Sequence, residues 1–169
     1  MNFDQAFTAL IGNEGNYTIN HKDRGNWTGG MLGRGELRGT KFGISAASYP
    51  SVDIKNLTLE EAKAIYLRDF WSPLFPDILP DIVRFDVFDT AVNSGVEKAV
   101  KLLQKALGVV ADGDIGPKTT AALSAADPKT LDKRFSGQRL LFITGLSQSQ
   151  WEAFGKGWVN RIAGNLIND

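Results

Sequence analysis

Along most of this chain, apolar residues recur at steps of three and four, the spacing of one helical face. Phe3, Phe7, Leu10 and Ile11 form the first such stripe, with Asn2 placed to cap it. Three residues further on the same face stands Glu14. The pattern predicts a helix through about Ile11–Glu14, ended by Gly15, with a carboxylate at the end of its apolar stripe. The periodicity then stops. Gly15, Gly25, Gly29, Gly30, Gly33, Gly35, Gly39 and Gly43 crowd the next span. That density predicts turns and short strands with close backbone approach. A long irregular segment inside a compact domain is usually functional or disordered, and the aromatic residues Tyr17, Trp27 and Phe42 favour function here.

Helical spacing returns at "LTLEEAKAIYLRDFW". Thr58 and Glu61 make a capping-box pattern, and Leu59, Ala62, Ile65, Tyr66 and Phe70 share a face. Pro73, Pro76 and Pro80 punctuate a connection. "DIVRFDVFDTAVNSG" reads as a buried helix ending near Gly95. "VEKAVKLLQKALG" follows, with Val96, Val100, Leu103 and Leu107 on one face and Gly108 as its C-cap. A tight turn is expected at Asp112–Gly113, and Pro117 stands at a helix start. Asp127 and Pro128 open a longer helix, and "WEAFGKGWVNRIAGNL" is the last. Trp151 and Trp158, seven apart, are expected in a core stripe. The predicted fold is mainly α, with a small Gly-rich loop or β segment in its N-terminal lobe. Residues 1–72 form one lobe and 82–169 the other, around a shared interface in one compact unit.

Composition narrows the chemistry. The 169 residues are 43% hydrophobic and 22% charged, ordinary for a globular chain, and the formal net charge is zero. Nothing points to nucleic acid, which a basic balance would suggest. The absence of cysteine removes a disulfide framework, a thiolate metal site and a cysteine nucleophile. The single His21 builds no His-rich zinc site, so no metal or other cofactor is expected. "MNFDQAFTAL" lacks the basic and apolar regions of a secretory signal, and no apolar run is long enough to span a bilayer. The expectation is a monomer made in the cytoplasm without stable membrane insertion, its target reached after release by something else.

Glu14 is the sharpest candidate. A carboxyl at the end of an apolar face is partly desolvated, which disfavours its charged form and suits it to donate a proton. Its alternative is a solvated residue of a last helical turn. Asp23 follows in the polar loop "HKDRGN". Two carboxylates in contrasting surroundings are the arrangement of glycoside hydrolysis. For Asp23 alone an Asx-turn is the competing account.

"NEGNY", then "DRGN", then "TKFGIS" resembles the catalytic segment of glycoside hydrolase family 108, phage and prophage endolysins that act as N-acetylmuramidases. Glu14, Gly15 and Tyr17 match its Glu-Gly-Gly-Tyr element, with Asn16 at the second Gly. Thr40, Gly43, Ile44 and Ser45 match its Thr-x-x-Gly-Ile-Thr/Ser element. The span "NWTGGMLGRGEL" is an insertion that many relatives lack, and across it Thr28 competes with Thr40 for the family's threonine. "DTAVNSG", "AVKLLQKALG", "DGDIGPKTTAAL" and "FGKGWVNR" resemble the helical peptidoglycan-binding region that usually follows.

The resemblance implies a lysozyme-like, two-lobed fold and cleavage of the β-1,4 bond between N-acetylmuramic acid and N-acetylglucosamine. Glu14 would be the acid, with Asp23 and Thr40 handling water or developing charge. Glu36 is a rival second carboxylate. Tyr17, Trp27 and Asn93 are the candidate substrate contacts, with peptidoglycan glycan strands as the partner. Gln104 and the turn Asp112–Gly116 match elements of peptidoglycan-binding modules and are read as structural. Two other classes stay open: a lytic transglycosylase, and a non-catalytic wall-binding or virion module.

Overall fold

The computed structural model describes residues 1–12 and 16–168, excluding the side chains of 153 and 168. The chain divides into two compact units, Asn2–Asp69 and Phe70–Asp169, the latter including Met1. The architecture is mainly helical with one small sheet, the class expected.

In the first unit, helix α1 (Phe3–Ile11) starts at Asn2, whose side chain accepts from the Gln5 N–H while Gln5 reaches back to the Asn2 N–H. It stops earlier than the stripe suggested. Gly12 caps it at φ 55°, its N–H donating to the Thr8 carbonyl. The apolar stripe and the helix therefore part company before position 14, and Gly12, not Gly15, ends α1. Glu14 itself, with Asn13 and Gly15, lies outside the described residues.

Strands β1 (Thr40–Lys41) and β2 (Ile44–Ser45) pair antiparallel, Thr40 opposite Ser45 and Lys41 opposite Ile44. Phe42 and Gly43 both have positive φ, 51° and 75°. Two such residues between paired strands make the hairpin turn whose twist matches the sheet. Gly43 has a second reason to be glycine: a Cβ there would collide with the Tyr66 hydroxyl, which donates to the Phe42 carbonyl at 3.0 Å. Tyr66 ends helix α2 (Leu59–Tyr66), started by the predicted Thr58–Glu61 capping box. Ala62, Ile65 and Tyr66 of α2 are buried, but Leu59 is exposed, because it stands in the first turn beyond the core's edge. Phe7 meets Tyr66 edge-on at 5.5 Å, with Ile44, Ala46, Ile54 and Leu57 also buried.

The second unit is built on helices α3 (Asp81–Ser94), α4 (Val96–Leu107), α5 (Pro117–Ala125), α6 (Pro128–Thr144), α7 (Gln148–Gln150) and α8 (Lys156–Asn168). Short 3₁₀ turns carry the chain past Pro73 and Pro76 to α3. Val83, Val87, Phe88, Ala91, Val100, Leu103 and Phe135 are almost wholly buried and form its core. Gln104 is buried on α4 and serves as a template for the next loop. Its Nε2 donates to Asp112 Oδ1, the Asp114 carbonyl and Thr119 Oγ1, and its Oε1 accepts from the Gly113 N–H. Asp127 caps α6 through Thr130, with Pro128 in the first turn.

The last segment departs from the expected core stripe. Trp151–Gly155 winds as a π turn, which changes the helical phase between Trp151 and Trp158. A Cβ on Gly155 would strike the Trp151 ring, so glycine allows the indole to lie against the backbone. Trp151 and Phe154 are exposed, and Trp158 stacks with Phe142 and Phe154.

Candidate active site

The glycine-rich segment is organised by polar side chains. Asn20 turns the chain back, its Oδ1 accepting from the Lys22 N–H. Asp23 then caps the short 3₁₀ turn Arg24–Asn26, its Oδ1 accepting from the Gly25 N–H at 2.8 Å. The Asx-turn that the loop sequence suggests for Asp23 is therefore formed. Asp23 Oδ2 accepts from Asn26 Nδ2 at 2.9 Å. The Asp23 side chain is fixed by donors on both oxygens and remains exposed.

Thr40 stands on β1, where Thr18 pairs with it through two backbone bonds of 2.8 and 2.9 Å. Thr40 Oγ1 lies 3.3 Å from Asn26 Nδ2. One buried amide therefore touches both the Asp23 carboxylate and the Thr40 hydroxyl, although the sequence separates the two by the whole insertion. Tyr17 precedes Thr18, and its ring packs at Gly39, where a Cβ would press on ring and backbone alike. Trp27 is half-buried, with Nε1 donating to the His21 carbonyl at 3.0 Å. The structure thus brings Asp23, Thr40, Tyr17 and Trp27 onto one hydrogen-bonded segment.

The insertion folds as a hairpin. Trp27 bridges Leu37, the Thr28 N–H donates to the Glu36 carbonyl at 2.9 Å, and Thr28 Oγ1 accepts from the Glu36 N–H at 2.9 Å. Thr28 Oγ1 thus bonds within the hairpin, whereas Thr40 Oγ1 faces Asn26. Glu36 is exposed and paired with Arg38, whose Nε lies 2.7 Å from its Oε2. Met31 and Leu32 are exposed at the tip.

Asn93 belongs to the helical unit. On α3 its Nδ2 donates to the Asp89 carbonyl at 2.7 Å and to Asp89 Oδ1 at 3.1 Å. It lines a small recess together with Asp89, Arg139, Phe142, Trp158 and Arg161. Beneath that recess lies a buried ion cluster. Arg139 faces Asp86 at 2.8 Å and Asp89 at 2.5 Å, Arg161 reaches Asp89 at 2.9 Å, and Asn165 donates to Asp86. Burial pushes the Asp89 carboxyl above the usual carboxylate range, against the pull of Arg139 and Arg161. No periodicity or motif in the sequence marks this cluster, in which Asp86 and Asn165 stand 79 positions apart. Asn26 carries only a local signal: an amide three residues after a carboxylate is the spacing at which a tight turn brings the two together.

Among the described residues no group of three or more acidic or histidine side chains is arranged to hold a metal ion. No helix described is long and apolar enough to cross a membrane.

Comparison with known proteins places this geometry in context. The sequence model of a family described as glycosyl hydrolase 108 matches residues 7–95, and that of a predicted peptidoglycan domain matches residues 98–163. The solved structure of SagA from Brucella abortus superposes with a TM-score of 0.78 at 31% sequence identity, covering 96% of this chain and 90% of that one. No curated protein matches the sequence significantly.

Proposed function

This chain belongs to the glycosyl hydrolase 108 family and is a peptidoglycan-acting lytic enzyme, and we propose that the bond it cleaves is the β-1,4 linkage from N-acetylmuramic acid to N-acetylglucosamine. Glu14 protonates the glycosidic oxygen as the bond to the anomeric carbon breaks. Asp23 and Thr40 serve the water, or the positive charge that develops at that carbon. Tyr17 and Trp27 present ring surface to the apolar sugar faces. The protein acts as an endolysin, a monomer that reaches the cell wall from the cytoplasm after a separate release step, and needs no cofactor.

The observation that supports this most is the convergence of Asp23 and Thr40 on one buried amide, inside the segment matched by the hydrolase family. Water-dependent glycoside cleavage uses a second carboxylate beside the acid, and its rate depends on such a group being held in place. The choice of Thr40 over Thr28 and of Asp23 over Glu36 rests on that convergence, since Asp23 and Thr40 share Asn26 whereas Thr28 bonds within the hairpin and Glu36 pairs with Arg38.

Digestion of purified peptidoglycan, with products read by mass spectrometry, tests the reading. Reducing muramic-acid ends from the wild type, and their loss in a folded Glu14→Gln variant, are the expected result. Anhydro-muramic ends would overturn it in favour of a transglycosylase, and cleavage by both proteins alike would move the acid elsewhere.

A further inference from the structure

We propose that Asn26 is a positioning residue for the cleavage, its carboxamide setting the Asp23 carboxylate and the Thr40 hydroxyl as one unit. The inference rests on the reading of Asp23 and Thr40 as the groups that serve the water. Asn26 is 2% exposed, in a loop whose polar neighbours are mostly open to solvent. Its orientation is fixed from three sides. Oδ1 accepts from the Asn20 N–H at 2.9 Å, so the amide nitrogen is the atom that faces Asp23 and Thr40. Its backbone carbonyl accepts from the Arg38 and Gly39 N–H groups at 2.9 and 3.1 Å, tying the turn to the strand that carries Thr40.

The chemistry follows from counting donors and lone pairs. An amide nitrogen has two hydrogens, and here one is directed at each partner. Asp23 Oδ2 receives one, leaving further lone pairs of the carboxylate to accept a proton of the attacking water. Thr40 Oγ1 receives the other. A hydroxyl that accepts once keeps one lone pair and its own hydrogen, so Thr40 retains a defined direction for one bond to water or to a sugar hydroxyl. Without Asn26 each group keeps its chemistry but loses its fixed relation to the other. Misplacement of this kind acts on the rate of the chemical step more than on substrate capture.

The test uses initial rates of reducing-end release from soluble, uncross-linked peptidoglycan strands, with Asp23→Ala, Asn26→Ala and the double variant. Asn26→Ala is expected to lower kcat about 10–100-fold with KM little changed. In the double variant its additional effect is expected to shrink to about threefold or less, because the group it positions is gone. Wild-type kcat in Asn26→Ala, or full additivity in the double variant, would overturn the proposal. If Asp23→Ala alone cleaves at the wild-type rate, the assignment of Asp23 fails, and the single variant reports that failure separately.

Should Asn26→Ala not fold by circular dichroism, Asn26→Asp decides. It preserves volume and the acceptor toward Asn20; while the new carboxyl shares a proton with Asp23 it still donates, and once both ionise at higher pH the donor is gone. Near-wild-type kcat at low pH that falls at high pH more steeply than in the wild type, with KM little changed, supports the positioning role, and a wild-type pH profile overturns it.

Discussion

The glycine-rich segment and the helical unit solve the same problem, holding polar groups in place, by different means. In residues 16–58 the backbone is pinned by side chains close by in sequence: Asp23 on Gly25, Thr28 on Glu36, Asn26 between Asn20 and Asp23. Little apolar surface supports these bonds, and several of the groups remain solvated. In the helical unit, Asp86, Asp89 and Arg139 meet inside a packed core after long excursions of chain. Fixed geometry near water comes from local bonds and glycine turns. Buried charge needs a core to carry it and partners to neutralise it. The contrast predicts that damage to the first region appears in rate and damage to the second in stability.

The largest expected effect is that of Glu14→Gln, just before the glycine-rich segment, which should cost about 10²–10⁴-fold in rate, the usual worth of general acid catalysis, with helical circular dichroism unchanged. Next is Arg139→Met. It leaves Asp86 buried without its guanidinium and should destabilise the fold by about 3–5 kcal/mol in urea titration. A variant with full stability would dissolve the contrast.

Gly43→Ala is the expected exception within the glycine-rich segment, because its turn packs on the buried Tyr66. Its positive φ and the Tyr66 hydroxyl both oppose a methyl group, so about 1–3 kcal/mol of stability should be lost, with melting temperature as the readout. The smallest effect belongs to Asp69. Arg68, and less strongly Tyr49, hold its carboxyl below the usual carboxylate range, although partial burial opposes them. The folded state therefore keeps Asp69 ionised where the unfolded chain would protonate it. Its contribution is complete above the ordinary carboxylate pKa and is lost as pH falls through the lowered one. Asp69→Asn should flatten that part of the acid limb in melting temperature against pH, and an unchanged limb would show that the ion pair is not maintained in solution.

What the sequence made legible divides along the same line. Capping at Thr58 and Asp127, the proline start at Pro117 and the glycine stop at Gly108 are local rules, and α2, α4, α5 and α6 start or stop where these signals stand, although α2 gives way to a π turn at Leu67–Trp71. The end of α1 was harder, because Gly12 and Gly15 offer two stops and periodicity runs through both. Asn26 and Thr40 are fourteen residues apart, and Asp89 and Arg139 fifty. Such pairs leave no periodic trace, since tertiary packing alone decides which polar residues meet. The π turn at Trp151 is invisible for a related reason: it changes the phase on which the periodic reading depends.

The hairpin between Trp27 and Leu37 has one more implication. Thr28 and Glu36 are bonded neighbours, so the intervening stretch leaves and re-enters the fold at almost one point. In the language of protein engineering it is an insertion port. Its sequence can be shortened, exchanged or used to display a foreign peptide, while the distance between Asp23 and Thr40 is set by residues on either side of it.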